Sequence, residues 1–185
     1  MTTGPEVAIQ SIFTRSWEVF KKDPVLYIVA SLIVGVVGTV SLGILAAPLM
    51  VGFIRLTRNR MRGEEVGAGD VFGGMSALIP SLIAAILIAI GVGIGSLLLV
   101  LPGIAVAVIF SYAFHLIAYD DANVGDALKG SFELVKNNIL LVILVMVLLG
   151  ILNSIGGVVV VGVLLTGPFS MVASTVAFEE MRGQR

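Results

Sequence analysis

Three long stretches without a charged residue dominate the pattern of hydrophobic and polar positions along this chain. They cover residues 24–54, 71–119 and 137–178, with 31, 49 and 42 residues. A membrane-crossing helix needs about 20 apolar residues, so the second and third stretches are each long enough for two helices. The pattern predicts an all-α polytopic membrane bundle of three hairpins, with transmembrane helices near residues 25–41, 44–62, 79–98, 102–119, 138–155 and 159–178.

Gly and Pro residues mark the predicted turns inside these stretches. The first stretch bends near residues 41–48, and the second turns at Leu101-Pro102-Gly103. In the third stretch, the turn is either Gly156-Gly157 or Thr166-Gly167-Pro168. These turns carry no charge, so every Lys and Arg is expected on one face of the membrane. By the positive-inside rule, we predict a multi-pass plasma-membrane protein with both termini in the cytoplasm.

Short amphipathic segments precede the first and third hairpins. Apolar residues recur at helical spacing over residues 9–20, and residues 128–135 repeat this arrangement. Helices of this kind lie in the headgroup plane, with apolar side chains in the acyl region and lysines near lipid phosphates. The interfacial contacts expected from these two segments are Trp17, Lys21, Lys22, Lys129, Phe132 and Lys136.

The two amphipathic segments also indicate an internal repeat. Residues 16–23 recur 115 residues later as residues 131–138, both beginning with Ser, an aromatic residue and Glu. A proline then stands thirteen residues before a Met-Arg-Gly triplet in both halves, at Pro48 and Pro168. We therefore expect a single membrane domain over residues 1–185, with three related units near residues 9–63, 70–121 and 126–183.

The composition supports a membrane protein. Of the 185 residues, 58% are hydrophobic and 12% charged, and the mean hydropathy is +1.11. Soluble domains carry about 25% charged residues. The net charge is −1, and no nucleic-acid partner is expected. Because the chain has no cysteine, it has no disulfide framework and no thiolate metal site.

Three arginines form the most informative polar feature of the sequence. Arg55, Arg58 and Arg62 share one face of the second predicted helix, at i, i+3 and i+7. Counted from a far-side start near Ile44, Arg55 lies about 16 Å into the membrane, where a charged side chain is costly. Two interpretations stay open. The arginines snorkel to the headgroups, or they contact an anion or a lipid phosphate within the bundle.

Each predicted unit also ends near a pair of acidic residues. If three units surrounded a pseudo-threefold axis, the pairs could form a ring that attracts cations. Solvated acids beside arginines are the simpler interpretation. The three pairs are Glu64-Glu65, Asp120-Asp121 and Glu179-Glu180.

Catalytic chemistry is not expected from this chain. It has one histidine, His115, and no nucleophile-elbow, zinc-protease or phosphate-loop motif. A lone imidazole near Tyr112 and Tyr119 is typical of a packed, hydrogen-bonded residue. We therefore predict no catalytic residue, no metal site and no cofactor.

Residues 101–138 resemble a group of bacterial and archaeal polytopic membrane proteins. The group includes the membrane domain fused in some bacteria to glycerophosphoryl diester phosphodiesterases. The resemblance rests on Leu-Pro-Gly at 101–103, on Asp120-Asp121, and on Asp, Lys, Ser, Lys and Asn at 126, 129, 131, 136 and 138. It implies a six-helix membrane bundle with interfacial helices. It transfers no catalytic residue, because the phosphodiesterase chemistry belongs to a separate soluble domain.

The sequence favours a non-catalytic integral membrane protein, acting as a scaffold or accessory subunit through helix and lipid contacts. Its expected partners are anionic membrane lipids and either a second copy or another membrane protein. The alternatives are a transporter or channel for a small solute, or a protein that handles anionic lipid. The repeats and the glycines around Gly91 and Gly95 favour transport. The few polar residues in the predicted helices oppose it.

Overall fold

Helices joined by short loops form the described structure. It is a computed structural model that covers residues 5–98, 100–157 and 160–183. Over these ranges there is no β-strand, which confirms the all-α fold class. A 3-10 segment (Ala68–Ala77) separates α3 from α4. The helices are α1 (Pro5–Lys22), α2 (Pro24–Val40), α3 (Ala46–Met61), α4 (Leu78–Leu98), α5 (Val100–Ile109), α6 (Ala113–Asp120), α7 (Val124–Asn137), α8 (Ile139–Gly157) and α9 (Val160–Gly183).

Three helical spans are long and apolar enough to cross a membrane, namely Ala68–Leu97, Pro102–Asp120 and Ile139–Gly156. A fourth is reached if α1 and α2 count as one span, although the chain bends by 93° between them. The predicted membrane character is confirmed at this level. Helix α3, with 16 residues, is shorter than the about 20 residues that a span needs. Six spans and the internal repeat stay predictions.

The first predicted turn agrees with the structure and the second does not. The chain turns between α2 and α3, where Leu42 and Gly43 adopt positive φ angles of 53° and 86°. The turn predicted at residues 101–103 is placed too late in the chain, because α4 ends at Leu98 and α5 already begins at Val100. Pro102 lies in the first turn of that helix, where a missing backbone N–H has no cost.

In the third stretch, the structure distinguishes the two predicted turns. Gly157 ends α8, whereas residues 166–168 lie inside α9, so a turn at Thr166-Gly167-Pro168 is wrong. Residues 158 and 159, between the two helices, lie outside the described residues, as does the start of the predicted helix at 159.

Helix α3 forms the centre of the bundle, packed against α2, the 3-10 segment, α4, α6 and α9. Glycines bring its backbone into contact with the 3-10 segment. A Cβ atom on Gly52 would lie 1.7 Å from the Val71 carbonyl oxygen, and one on Gly74 would lie 1.9 Å from that of Pro48. This contact holds the 3-10 segment beside the N-terminal half of α3, within hydrogen-bond reach of Arg55.

The junction between α1 and α2 turns the first helix across the bundle. The Asp23 side chain caps α2 by accepting a 3.1 Å hydrogen bond from the backbone N–H of Leu26. Helix α1 buries Ile12 and Phe20 in the core and leaves Trp17 57% exposed. If α2 crosses the membrane, the 93° bend places α1 in the headgroup plane.

The outer surface of the longest spans is apolar. Only 17% of the α4 span and 22% of the α8 span are buried inside the protein. A continuous apolar surface of this kind is costly in water and suits lipid acyl chains. The exposed row on α4 consists of Ile79, Ile83, Ile86, Ile90, Ile94 and Leu97.

The fourth predicted helix, residues 102–119, is interrupted between α5 and α6. Ser131 of α7 lies fully buried against this break. Its hydroxyl donates a 2.7 Å hydrogen bond to the Ile109 carbonyl and accepts one of 3.2 Å from the Tyr112 N–H. Backbone groups released by a break in apolar surroundings need such partners. Helix α7 thereby packs into the bundle by one face.

Candidate functional site

Charged side chains gather at one end of the bundle, where the C-terminal ends of α3, α6 and α9 meet α1. Ion pairs in this layer connect different helices, so each pair fixes one helix end to another. Partly exposed pairs contribute only about 0–1 kcal/mol each, so their main effect is on geometry. The three closest pairs are Arg15–Glu179 at 3.0 Å, Arg182–Asp120 at 2.7 Å, and Arg55–Asp121.

Arg55 is held entirely by groups of the protein. Its Nε donates to the Ala118 carbonyl at 3.2 Å, and its Nη1 donates to the Gly73 carbonyl at 3.2 Å and to the Ser76 hydroxyl at 2.7 Å. Its Nη2 binds the Asp121 carboxylate. Arg55 therefore lies level with the C-terminal end of α6, where carbonyls and a carboxylate meet its charge.

The other two predicted arginines have different surroundings. Arg58 donates to the Tyr119 carbonyl at 3.1 Å, and its guanidinium lies 4.4 Å from the centre of the Tyr119 ring. Arg62 follows α3 as its C-cap and is exposed. The structure therefore brings Arg55 and Arg58 against α6 and leaves Arg62 at the surface. Contact of this stripe with an anion or lipid phosphate stays a prediction.

The predicted acidic pairs are largely bound to arginines and hydroxyls. Glu179 accepts from Arg15 and from the Tyr119 hydroxyl, the latter at 2.8 Å. Glu180 accepts from Ser11 at 2.7 Å, whereas Glu64 is exposed. Among the described residues, no group of three or more acidic or His side chains could hold a metal ion.

Arg60 belongs to a second cationic cluster that sequence reasoning missed. It lines a cleft between α1 and the end of α3, with a volume of about 150 Å³. We call this the basic cleft. Its lining residues are Arg15, Glu18, Val19, Lys22, Arg60 and Met61.

A larger and mainly aromatic and aliphatic groove opens on another face of α1, between this helix and the α8–α9 hairpin. We call it the aromatic groove. Its volume is about 370 Å³. The Phe169 ring centre lies 6.2 Å from Phe13, 6.3 Å from Trp17 and 5.8 Å from Phe20. The lining residues are Phe13, Trp17, Phe20, Leu152, Leu165, Thr166 and Phe169.

The predicted interfacial residues lie on exposed faces of α1 and α7. Trp17 is 57% exposed and Phe132 46%. The four lysines are exposed as well, and their contact with lipid stays a prediction. They are Lys21, Lys22, Lys129 and Lys136.

Comparison with known families gives one match. Residues 25–183 match the domain of unknown function DUF7847. The chain belongs to this family. No curated protein and no solved structure matches the chain. The resemblance to the membrane domain of glycerophosphoryl diester phosphodiesterases stays a prediction.

The DUF7847 match contains the whole Arg55 network and the α8–α9 side of the aromatic groove. Helix α1, which supplies Phe13, Trp17 and Phe20 to the groove, precedes the matched range. Arg15 and Lys22 of the basic cleft precede it too. Both openings therefore combine α1 with the DUF7847 region.

The single histidine of this DUF7847 protein is packed inside the bundle. His115 is 2% exposed, and its ring centre lies 5.2 Å from those of Tyr112 and Phe178. Its Nε2 lies 3.4 Å from the Ser174 hydroxyl. A substrate would have to displace aromatic rings to reach the imidazole.

Proposed function

We propose that this chain is a non-catalytic integral membrane protein that acts through contacts with lipid and with other membrane helices. The observation that carries the proposal is the aromatic groove, which is lined by aromatic and aliphatic side chains apart from Thr166. We propose that the groove holds one acyl chain of a membrane phospholipid. A bound chain would attach the DUF7847 bundle to a defined lipid and complete the surface that it presents to a neighbouring protein.

The position of the groove along α9 supports an acyl chain as its occupant. Glu179 lies in the charged layer, and Phe169 lines the groove ten residues earlier on the same helix. At 1.5 Å per residue, Phe169 lies about 15 Å below that layer. One leaflet of a bilayer has a hydrocarbon thickness of about 15 Å. A chain anchored at the headgroup level would therefore reach the Phe169 end of the groove.

The charge beside the groove supports a phospholipid. Lys21 lies one helical turn after Trp17 on the same face of α1 and is exposed. Within the described ranges it makes no ion pair. A lysine beside an aromatic face places its ammonium near lipid phosphates while its stem covers apolar surface.

A transporter or channel for a small solute is the second candidate function. The observation that favours it is a polar contact between the two helices of the last hairpin. The Asn153 side chain donates a 2.8 Å hydrogen bond to the Ser170 hydroxyl. Solute flux through proteoliposomes that depends on Asn153 would support this candidate over the lipid-contact function.

The acyl-chain proposal can be tested with the intrinsic fluorescence of Trp17, the only tryptophan of the chain. Detergent-purified protein is titrated with a phospholipid that carries bromine atoms on its acyl chains, which quench a tryptophan in contact. Leu152→Phe fills the groove. Leu148→Phe makes the same change one turn earlier on α8, outside the groove.

We expect saturable quenching in the wild type and in Leu148→Phe, and weaker quenching in Leu152→Phe. Trp17 is more than half exposed, so some non-saturable quenching by bulk lipid is expected in every variant. Identical titration curves for all three proteins would disprove chain binding in the groove.

A further inference from the structure

The basic cleft brings together three cationic side chains and one acidic side chain from two helices. Arg15, Glu18 and Lys22 come from one face of α1, at i, i+3 and i+7. Arg60 comes from the last turn of α3. Val19 and Met61 complete the wall. The lining is therefore net positive, in a space of about 150 Å³.

The cations of the cleft are incompletely paired. Arg15 is bound to Glu179 at 3.0 Å. Lys22 makes no ion pair within the part of the chain that the structure describes. Arg60 lies 3.9 Å from Asp23, and its Nε is buried without a hydrogen-bond acceptor.

This arrangement is unfavourable without a further group. A buried N–H that lacks an acceptor is destabilising, and the positive charges around it repel one another. The negative end of the α3 dipole attracts Arg60, which explains a cation in the last turn. The dipole does not supply an acceptor to the buried Nε. An anion in the cleft would offset the positive charge and accept hydrogen bonds from the exposed part of the Arg60 side chain, which is 29% accessible.

We propose that the basic cleft binds a phosphate group, either of a lipid headgroup or of a small soluble phosphate. Arginine presents several N–H donors to phosphate oxygens in a fixed geometry, and lysine adds a point charge. Glu18 disfavours the anion and sets its affinity. The cleft and the aromatic groove use different faces of α1, so this proposal does not depend on the acyl chain.

Affinity measurements on the detergent-purified full chain test the proposal and identify the source of the phosphate. The probes are inorganic phosphate, short-chain phosphatidylglycerol and short-chain phosphatidylcholine, each titrated by microscale thermophoresis. Stronger binding of phosphatidylglycerol than of inorganic phosphate supports a lipid headgroup. Equal or stronger binding of inorganic phosphate supports a soluble ligand.

Variants with opposite expected effects separate binding from folding. Arg60→Gln and Lys22→Gln each remove a donor and should weaken binding about tenfold. Glu18→Gln removes the competing carboxylate and should tighten binding about threefold. The matched control is Glu133→Gln on α7, which is exposed, does not line the cleft and should leave the affinity unchanged.

Lys22 and Glu18 are exposed, so their variants are expected to fold even if Arg60→Gln does not. The proposal is overturned if Lys22→Gln binds every probe as tightly as the control does. It is also overturned if Glu18→Gln weakens binding, or if none of the probes binds the wild type.

Discussion

Two arginines on α3, only five residues apart, have opposite surroundings. Arg55 donates four hydrogen bonds to carbonyl, hydroxyl and carboxylate groups of the protein. Arg60 makes no hydrogen bond among the described residues, and its nearest acid lies 3.9 Å away. Arg55 therefore stabilises the packing of α3 against its neighbours, whereas Arg60 has no strong partner in the protein and is the arginine that we assign to a ligand.

The difference follows from what each arginine faces. Five residues on an α-helix correspond to a rotation of about 140° between the two side chains. Arg55 points to the 3-10 segment and to the end of α6, where backbone carbonyls lack helical partners. Arg60 points to α1, which presents Arg15 and Lys22. Adjacent helix ends supply acceptors, whereas the side of an amphipathic helix supplies further cations.

The largest effect is expected from Gly52→Ala, which disrupts the packing of the 3-10 segment next to Arg55 and does not touch Arg60. The added Cβ would lie 1.7 Å from the Val71 carbonyl oxygen, so α3 and the 3-10 segment must separate. We expect loss of folded protein or destabilisation by more than about 3 kcal/mol, measured as monodisperse yield and unfolding in detergent. Gly69→Ala is the control, because no atom lies within 4 Å of its added Cβ. Equal stability of the two variants would contradict the packing described.

Arg55→Ala should lower the free energy of unfolding by about 2–3 kcal/mol, because it removes charge-assisted hydrogen bonds, one of them to the part-buried Ala118 carbonyl. Arg62→Ala is the matched control at the exposed end of the same stripe, where a change within about 0.5 kcal/mol is expected. Equilibrium unfolding in mixed micelles measures both. A loss of less than about 1 kcal/mol for Arg55→Ala would show that its hydrogen bonds contribute little net stability.

The Arg55–Asp121 ion pair should account for only a small part of that loss. The Asp121 side chain is 83% exposed, so a double-mutant cycle with Asp121→Asn should give a coupling of about 0.5–1 kcal/mol. A coupling that equals the whole effect of Arg55→Ala would assign the stabilisation to the ion pair and not to the carbonyls of Ala118 and Gly73.

Arg60→Gln should have the smallest effect on stability, below about 0.5 kcal/mol, because its contact with Asp23 is long and partly exposed. Removing a buried N–H without an acceptor also relieves a cost. Chemical denaturation without added anion is the measurement. Destabilisation as large as that of Arg55→Ala would remove the distinction between the two arginines.

The sequence was sufficient for the all-α fold class and the membrane character, because both depend on local periodicity and composition. It also placed the first turn correctly, where Gly43 needs a positive φ angle. It placed the second turn too late in the chain, at Pro102, and one of its two alternatives for the third turn, at Pro168, is wrong. The structure includes both prolines in helices. Pro102 lies in a first helical turn, where proline is tolerated, whereas Pro168 lies inside α9, where tertiary packing overrides the local signal.

The acceptors of Arg55 could not be predicted from the sequence. Ala118 lies 63 residues away, and its contact depends on how α6 packs against α3. Arg60 was missed because it falls outside the i, i+3, i+7 stripe of Arg55, Arg58 and Arg62. The spacing of Arg15 and Lys22 on one face of α1 was the available signal, but it does not identify the helix that faces them.

The most direct test of the central claim is the shift in unfolding temperature that the tighter-binding phosphate probe, inorganic phosphate or short-chain phosphatidylglycerol, causes in the wild type, Arg55→Gln and Arg60→Gln. A ligand that binds only the folded state raises the unfolding temperature, and the rise caused by short-chain phosphatidylcholine is subtracted to remove the contribution of acyl chains. We expect Arg55→Gln to unfold at a lower temperature yet keep the probe-dependent rise. Arg60→Gln should unfold like the wild type without the probe and lose most of the rise. The reverse pattern, or an equal rise in all three proteins, would contradict the assignment of Arg55 to the fold and Arg60 to the anion.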